Sequence, residues 1–452
     1  MPGAGTRSPR ARTHEPHATA APCSSRCWCR APRPGSGRAP PRCRLPRERR
    51  RDAFRGTPLS RDARRIIAAQ GARALAYGLG SVLIGLTLAD RGLSNAEVGL
   101  ILASLLAGTA LVSVLIARHG DKVGRRRCYR LLFVVMALAG TVFALTAWLP
   151  ALILAGLTGT VSTDVVESGP FTSLEQAMLP HAAGEHDPTR LFGTYNTVAT
   201  LAGSVGALLA LIGSSPHWLL AYPLAAVLGL LATAGLSGSV ERGHELQQEP
   251  LPPLHRSRGI VIRLSGLFAL DSFAGGFVPQ TFIAYLFVRK YDASPQTLAI
   301  TFFAIGILQA LSFQAAVRLA GRIGLLRTMV FTHLPSNLLL IAVAFAPNLA
   351  GAIALLLARF ALAQMDVPTR QAYVMGVVDP SERTAAAAYT NTARYVTRPV
   401  APLIASATLR GALGAPFFIA GTLKCVYDAG LYILFRNVRI SDRPAANVSV
   451  NV

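Results

Sequence analysis

The sequence predicts an all-α polytopic membrane protein whose twelve transmembrane helices form two parallel six-helix repeats. Three observations carry this: long apolar runs, a charge alternation between them, and an internal repeat. Of the 452 residues 52% are hydrophobic and only 15% charged, with a mean hydropathy of +0.41. A soluble chain of this length carries more charge, so many membrane-spanning runs are expected.

In order along the chain, residues 1–60 are rich in Arg, Pro, Ala, Gly and Ser and hold no long apolar run. Such a leader cannot bury enough surface to fold and is expected to be disordered. From Ile66 twelve runs are long enough to span, given that a transmembrane helix needs about 20 residues. They cover 66–89, 96–117, 128–149, 151–178, 189–213 and 217–238, then 261–288, 295–318, 326–346, 349–377, 384–409 and 414–435. Domain limits follow: an N-terminal half at 61–238, a linker at 239–260, a C-terminal half at 261–436 and a tail at 437–452.

The connections alternate in charge. One side receives Arg118 to Arg127, Arg190, Arg242 to Arg258, Arg322, Arg327, Arg383 and the tail, whereas the other receives only Arg91, Arg289, Lys290 and Arg410. Cytoplasmic loops carry the Lys and Arg excess, so both termini are expected in the cytoplasm of a plasma-membrane protein. Topology also explains most of the net charge of +23, of which the first 65 residues hold seventeen Arg and four acids. Nothing in the chain interleaves bases with aromatics in a nucleic-acid-binding pattern.

The repeat aligns Ser94–Arg127 with Ser294–Arg327 at an offset of 200, pairing Gly124 with Gly324 and Arg127 with Arg327. Later, YNTVATLAGSVGALL from Tyr195 meets TNTARYVTRPVAPLI from Thr390 at an offset of 195. Two copies of six spans enter the membrane in the same direction.

Within ARHGDKVGRRR, residues 117–127, Asp121, Lys122, Gly124, Arg125 and Arg126 match a motif of the Major Facilitator Superfamily between its second and third helices; Ala117 stands where the motif has its first Gly. The chain resembles that superfamily over residues 61–440. The stretches ESGPFTSLEQAMLP and AQMDVPTRQAYVMGVVDP resemble little-characterised microbial members. The resemblance implies a secondary transporter in which the two halves rock about a cavity lined by the first, fourth, seventh and tenth helices. The superfamily's drug-exporting branch usually has an Arg near the start of helix 4 and a Gly-Pro signature in helix 5. LILAGLTGT and AGSVGALL have neither.

Ionisable residues at membrane depth need a partner or a function. The fourth run holds Thr160, Asp164, Glu167 and Glu175, which a continuous helix would place on one acidic stripe. The tenth holds Arg359, Asp366 and Arg370, the eleventh Asn391, Arg394 and Arg398, and the seventh Asp271 ahead of Gly275, Gly276 and Pro279. Arg394 and Arg398, two guanidiniums on one face, suit a carboxylate or phosphate. Together with Arg359, Asp366, Tyr77 and Gln280 they are the candidate substrate-binding residues. Asp271, Glu167 and Asp164 are the candidate proton carriers, since a carboxylate in a low-dielectric cavity can exchange a proton unless a cation holds it ionised. Glu175 corresponds to Arg370 at the offset of 195, which suggests either an inner gate or structural pairing within each half. Asp121 and Arg125 in the motif loop join them as gating candidates.

No spacing of His, Cys, Asp and Glu fits a standard metal site, and no phosphate-cradling loop or nucleophile elbow occurs. No cofactor, metal or enzymatic activity is expected. The expectation is a monomeric, proton-coupled transporter of a small organic solute in the lipid bilayer. The alternatives are an exporter of amphipathic compounds by proton antiport and a receptor or lipid-handling protein on the same scaffold.

Overall fold

A computed structural model describes residues 59–438 except 163–168, 183–187, 214, 242–253 and 380–381. Everything described belongs to one unit that begins at Thr57. It is helical, with no strand among the described residues.

The first helix, α1, runs Arg61–Asp90, capped by Ser60, whose hydroxyl accepts from the Ala63 N–H at 3.0 Å. At about 1.5 Å per residue its 30 residues exceed the hydrocarbon thickness of a bilayer. Next come α2, Asn95–Val123, and α3, Arg125–Leu145. Ser94 and Glu97 form a reciprocal capping box at the start of α2. The repeat reproduces this cap: Ser294 accepts from the Thr297 N–H at the start of the helix 200 residues on. The hinge is reproduced too. Gly124 and Gly324 have φ of +97° and +86°, a region that L side chains avoid, and each lets one long helix turn directly into the next.

The fourth run is two helices, α4 (Leu149–Leu157) and α5 (Pro170–Ala182), not one. The chain breaks at Gly159, φ +65°, where a Cβ would stand 2.4 Å from the Gly108 carbonyl oxygen of α2. Thr160 is therefore non-helical and does not share one continuous helix with Glu175 of α5. Asp164 and Glu167 lie outside the described residues. Then follow α6 (Pro188–Leu208) and α7 (Ala221–Ala234).

In the second half α8 (Arg258–Gly275) and α9 (Gln280–Tyr291) make the seventh run, interrupted at Gly276–Pro279. The long α10 (Pro295–Ile323) and α11 (Leu325–Ala344) follow. The tenth run is α12 (Leu349–Ala363) and α13 (Asp366–Val377). Pro368 explains the break, since its ring obstructs the carbonyl four residues back, at Gln364. The eleventh is α14 (Arg383–Thr397) and α15 (Ala401–Thr408), joined by one tight turn that holds Pro399 and precedes Pro402. The last helix, α16, is Ala415–Phe435. Ten helical stretches among the described residues are long and apolar enough to cross a membrane. The fourth and eleventh expected spans are not among them; the fourth includes residues 163–168, outside the described set, and the eleventh carries Arg383, Arg394 and Arg398.

The two halves pack alike: α1 lies on α6 and α3 on α7, as α8 lies on α14 and α11 on α16. They meet each other at the end away from the basic loops. There a Cβ on Gly85 of α1 would stand 2.6 Å from the Ala284 Cβ of α9, and one on Gly99 of α2 2.1 Å from the Ser406 hydroxyl of α15. The Tyr285 hydroxyl also donates to Asn95 at 3.2 Å. Toward the basic-loop end a polar space is lined by both halves, with Gln70, Arg73 and Gln176 from one and Gln364 and Gln371 from the other.

Candidate substrate cavity and its ion-pair clusters

Each half contains a buried ion pair between its first and fourth spans. In the N-terminal half Arg73 of α1 donates to Glu175 of α5 at 2.7 Å. Glu175 is fully buried and also accepts from the Tyr129 and Tyr195 hydroxyls at 2.6 and 2.5 Å. The Arg73 guanidinium lies over the Phe171 and Tyr77 rings at 4.8 and 5.1 Å. The Arg73 Nε is buried without a hydrogen-bond partner. In the C-terminal half Arg370 of α13 bonds Asp366 at 2.9 Å and Asp271 of α8 at 3.4 Å.

The repeat thus produces the same bridge twice with its charges exchanged. Glu175 and Arg370 do occupy equivalent positions, but they are not bonded to each other: each pairs inside its own half, as the structural alternative expected. Arg125 donates to the Ala177 carbonyl oxygen at 3.0 Å, tying α3 to α5. Asp121 lies in the last turn of α2, its side chain outside the described set.

Asp271 has no cation one turn away in its own helix. It has three cationic or titratable neighbours, from three helices: Lys424 Nζ of α16 at 2.5 Å, Arg370 at 3.4 Å and His333 Nε2 of α11 at 4.0 Å. Residues distant in sequence thus supply the charges that its own helix lacks. Behind it His333 Nδ1 lies 2.9 Å from Asp428 Oδ1, and Asn337 Nδ2 donates to Asp428 Oδ2 at 2.8 Å. His333, Asn337, Lys424 and Asp428 were absent from the sequence reading. Their signal was available: each is a polar residue inside an apolar run, and each pair is spaced four apart on one helix face.

The central cavity, about 140 Å³, is walled by the C-terminal half alone: Asp271, Gln280, Gln309, His333, Arg359, Asp366, Arg370, Arg394, Arg398 and Lys424, among others. Five of the six expected substrate-binding residues are on its wall. The sixth, Tyr77, is buried elsewhere, its hydroxyl donating to the Thr160 carbonyl oxygen at 2.8 Å. Five permanent cations face two carboxylates across this wall. Both carboxylates are already engaged by Arg370 or Lys424. The Arg394 Nε is buried without a hydrogen-bond partner, and no described carboxylate stands within 4 Å of its guanidinium.

Arg370 and Arg394 also line two adjoining spaces. One of about 200 Å³ lies between the halves and includes Gln70, Arg73, Gln176, Asn196 and Gln371. The other, about 490 Å³, is walled by Phe268, Pro368, Ala372, Val374, Met375 and Ala387. The two guanidiniums therefore stand where a polar chamber meets an apolar one.

The sequence matches the profile of the Major Facilitator Superfamily over residues 66–402. The chain belongs to that superfamily. A curated relative, the uncharacterized membrane protein YJR124C of Saccharomyces cerevisiae, is 25% identical over 425 residues, covering 84% of this chain and 95% of its own. Among solved structures the nucleoside transporter NupG superposes with a TM-score of 0.68 at 14% identity, over 83% of this chain and 99% of its own. A D-xylose-proton symporter gives 0.64 at 14%, over 84% and 98%. The human organic anion transporter MFSD10 gives 0.56 at 17%, over 82% and 99%. At these identities the structures share the fold. As a superfamily member this is an integral, multi-pass membrane protein and a secondary transporter.

Proposed function

We propose that this transporter carries a small organic anion with an apolar portion, moved by alternating access and coupled to protons. The observation that carries the reading is the cation excess of the central cavity, above all Arg394. Arg394 is half-buried; a partly desolvated charge without a carboxylate beside it is costly, and a bound anion would remove that cost. Two guanidiniums suit a carboxylate or phosphate, which they can bind in bidentate fashion. The adjoining 490 Å³ space, with Phe268, Val374 and Met375 on its wall, suits the apolar portion. A lipophilic cation would find no unengaged carboxylate there, which favours the anion reading over a cation exporter.

The positive-inside rule supports assigning the basic-loop end to the cytoplasm. Closure there would bring the Arg73 and Arg370 clusters toward each other across Gln70 and Gln371, a gate formed by two self-contained pairs rather than by one pair shared between halves. The chain acts as a monomer in this reading, because the cavity is complete within it.

Thermal-stability screening of the purified protein tests the substrate class. Organic anions such as phthalate should stabilise the protein, and Arg394→Gln should remove the effect. Stabilisation by lipophilic cations instead would overturn the reading.

A further inference from the structure

We infer that His333 is the proton-binding group of this transporter, poised between Asp428 and Asp271 so that its protonation releases Lys424 to meet the substrate anion. The inference rests on the organic-anion reading only for its second half. The proton site itself stands on geometry.

Asp428 is fully buried, and its only described polar partners are His333 and Asn337. An ionised carboxylate cannot persist there without a positive or proton-donating neighbour. Asn337 Nδ2 donates to Oδ2 and also stands 3.1 Å from His333 Nδ1; the shorter contact, 2.9 Å from Nδ1 to Oδ1, places a proton between Asp428 and His333, which leaves Nε2 as the imidazole's second basic site. Nε2 faces Asp271 at 4.0 Å, and both side chains line the central cavity, so a proton can reach it from there.

The groups that face the imidazole are Asp428, Lys424 and Tyr427 from α16, Asp271 from α8, and Asp366 and Arg370 from α13. The Tyr427 ring stands edge-on at 5.8 Å. When Nε2 gains a proton, the imidazolium donates to Asp271, and Asp271 then has a second cation in place of Lys424. Lys424 Nζ, now bonded to Asp271 at 2.5 Å, can turn to the anion. When the anion leaves, Lys424 returns to Asp271 and Nε2 releases its proton to the cavity. Proton and anion thus bind cooperatively at adjoining places.

The repeat supplies an internal control. At the offset of 200, His333 corresponds to Phe133 of α3. Phe133 is fully buried and packs on Gly229 of α7, where a Cβ would stand 2.3 Å from its ring. The scaffold closes that helix pair with apolar contacts in one half and with an imidazole and a carboxylate in the other. The fold does not require the charges, which leaves them to function.

The test uses full-length protein labelled with ¹⁵N-histidine. The His333 imidazole resonances are assigned by their loss in His333→Gln and followed from pH 5 to 9, with and without saturating phthalate. The inference expects the Nε2 resonance to titrate while Nδ1 stays protonated, and phthalate to raise the midpoint by about one pH unit, a tenfold coupling. In His333→Gln, phthalate binding should become flat with pH. The double variant His333→Phe with Asp428→Asn, which removes both titratable groups and leaves no unpaired carboxylate, should be equally flat and guards against misfolding of the single variant. An Nε2 resonance that does not move between pH 5 and 9 overturns the proton site. A midpoint that saturating phthalate leaves in place overturns the coupling. Failure of phthalate to bind at any pH counts against the organic-anion reading instead, and the titration alone then decides the proton site.

Discussion

Replacing Arg73 by Met exposes how the N-terminal half holds a charge in its interior. Glu175 is fully buried and has three partners, Arg73 at 2.7 Å and the Tyr129 and Tyr195 hydroxyls at 2.6 and 2.5 Å. Arg73→Met leaves the carboxylate with two phenols and no cation. Breaking a buried pair from one side costs about 3–5 kcal/mol, chiefly through the charge left behind. Adding Glu175→Gln removes that charge while keeping an acceptor for the tyrosines, so the double variant should regain about half of the loss or more. Glu175→Gln alone leaves Arg73 on the Phe171 and Tyr77 faces at 4.8 and 5.1 Å. Each such contact is worth about 0.5–2 kcal/mol, so this variant should be milder than Arg73→Met. Unfolding in detergent as a function of SDS mole fraction measures all three. An Arg73→Met loss below about 1 kcal/mol, or a double variant no more stable than Arg73→Met, would refute the reasoning.

Further predictions concern the loops and the closed end. Glu382 accepts the His255, Arg256 and Ser257 N–H groups at 2.7, 3.0 and 2.9 Å, and the His255 bond leads in holding its carboxyl down at about 2, against an ordinary 4.5. Because the folded value is the lower one, its contribution is present above pH 4.5 and fades as pH falls toward 2; the stability gap between wild type and Glu382→Gln should close over that window in acid-unfolding curves. Gly124→Ala and Gly324→Ala place a side chain at φ +97° and +86° with nothing closer than 3.7 Å, so backbone strain alone should cost about 1–3 kcal/mol each in the same unfolding assay. Gly85→Leu cannot fit beside Ala284 and the Thr281 carbonyl oxygen, both 2.6 Å from a built Cβ. It should open the end where the halves meet, raising the labelling of a cysteine placed at Gln280 by an impermeant reagent from that side; unchanged labelling would argue against closure by this contact.

The sequence was most informative where it repeats itself. Gly124 and Gly324 announced two equivalent hinges, and both take positive φ. The polar residues of spans seven, ten and eleven named seven of the cavity's lining side chains, because desolvation makes a charge at membrane depth conspicuous whatever the helix packing. Contacts between spans were not legible. Equivalence of Glu175 and Arg370 in the repeat says that they occupy matching places, and matching places in two halves point at their own neighbours. Arg73 and Asp271 therefore took the partners that the gate reading had joined. The His333 and Asp428 pair lies on α11 and α16, helices outside the lining set implied by the superfamily resemblance, so its four-residue spacings went unused. The break at Gly159 depends on the close approach of Gly108, a tertiary contact that helical phase alone does not encode.

The measurement that bears most directly on the account is uptake of radiolabelled phthalate into proteoliposomes that hold wild-type protein or Arg394→Gln, with an inward proton gradient applied and then collapsed. The account predicts gradient-dependent uptake by wild type and at least a tenfold loss in the variant, the size expected when a charge-assisted bond of about 1.5–3 kcal/mol disappears. Equal uptake by both proteins would contradict it, since the cation excess around Arg394 would then have no part in binding.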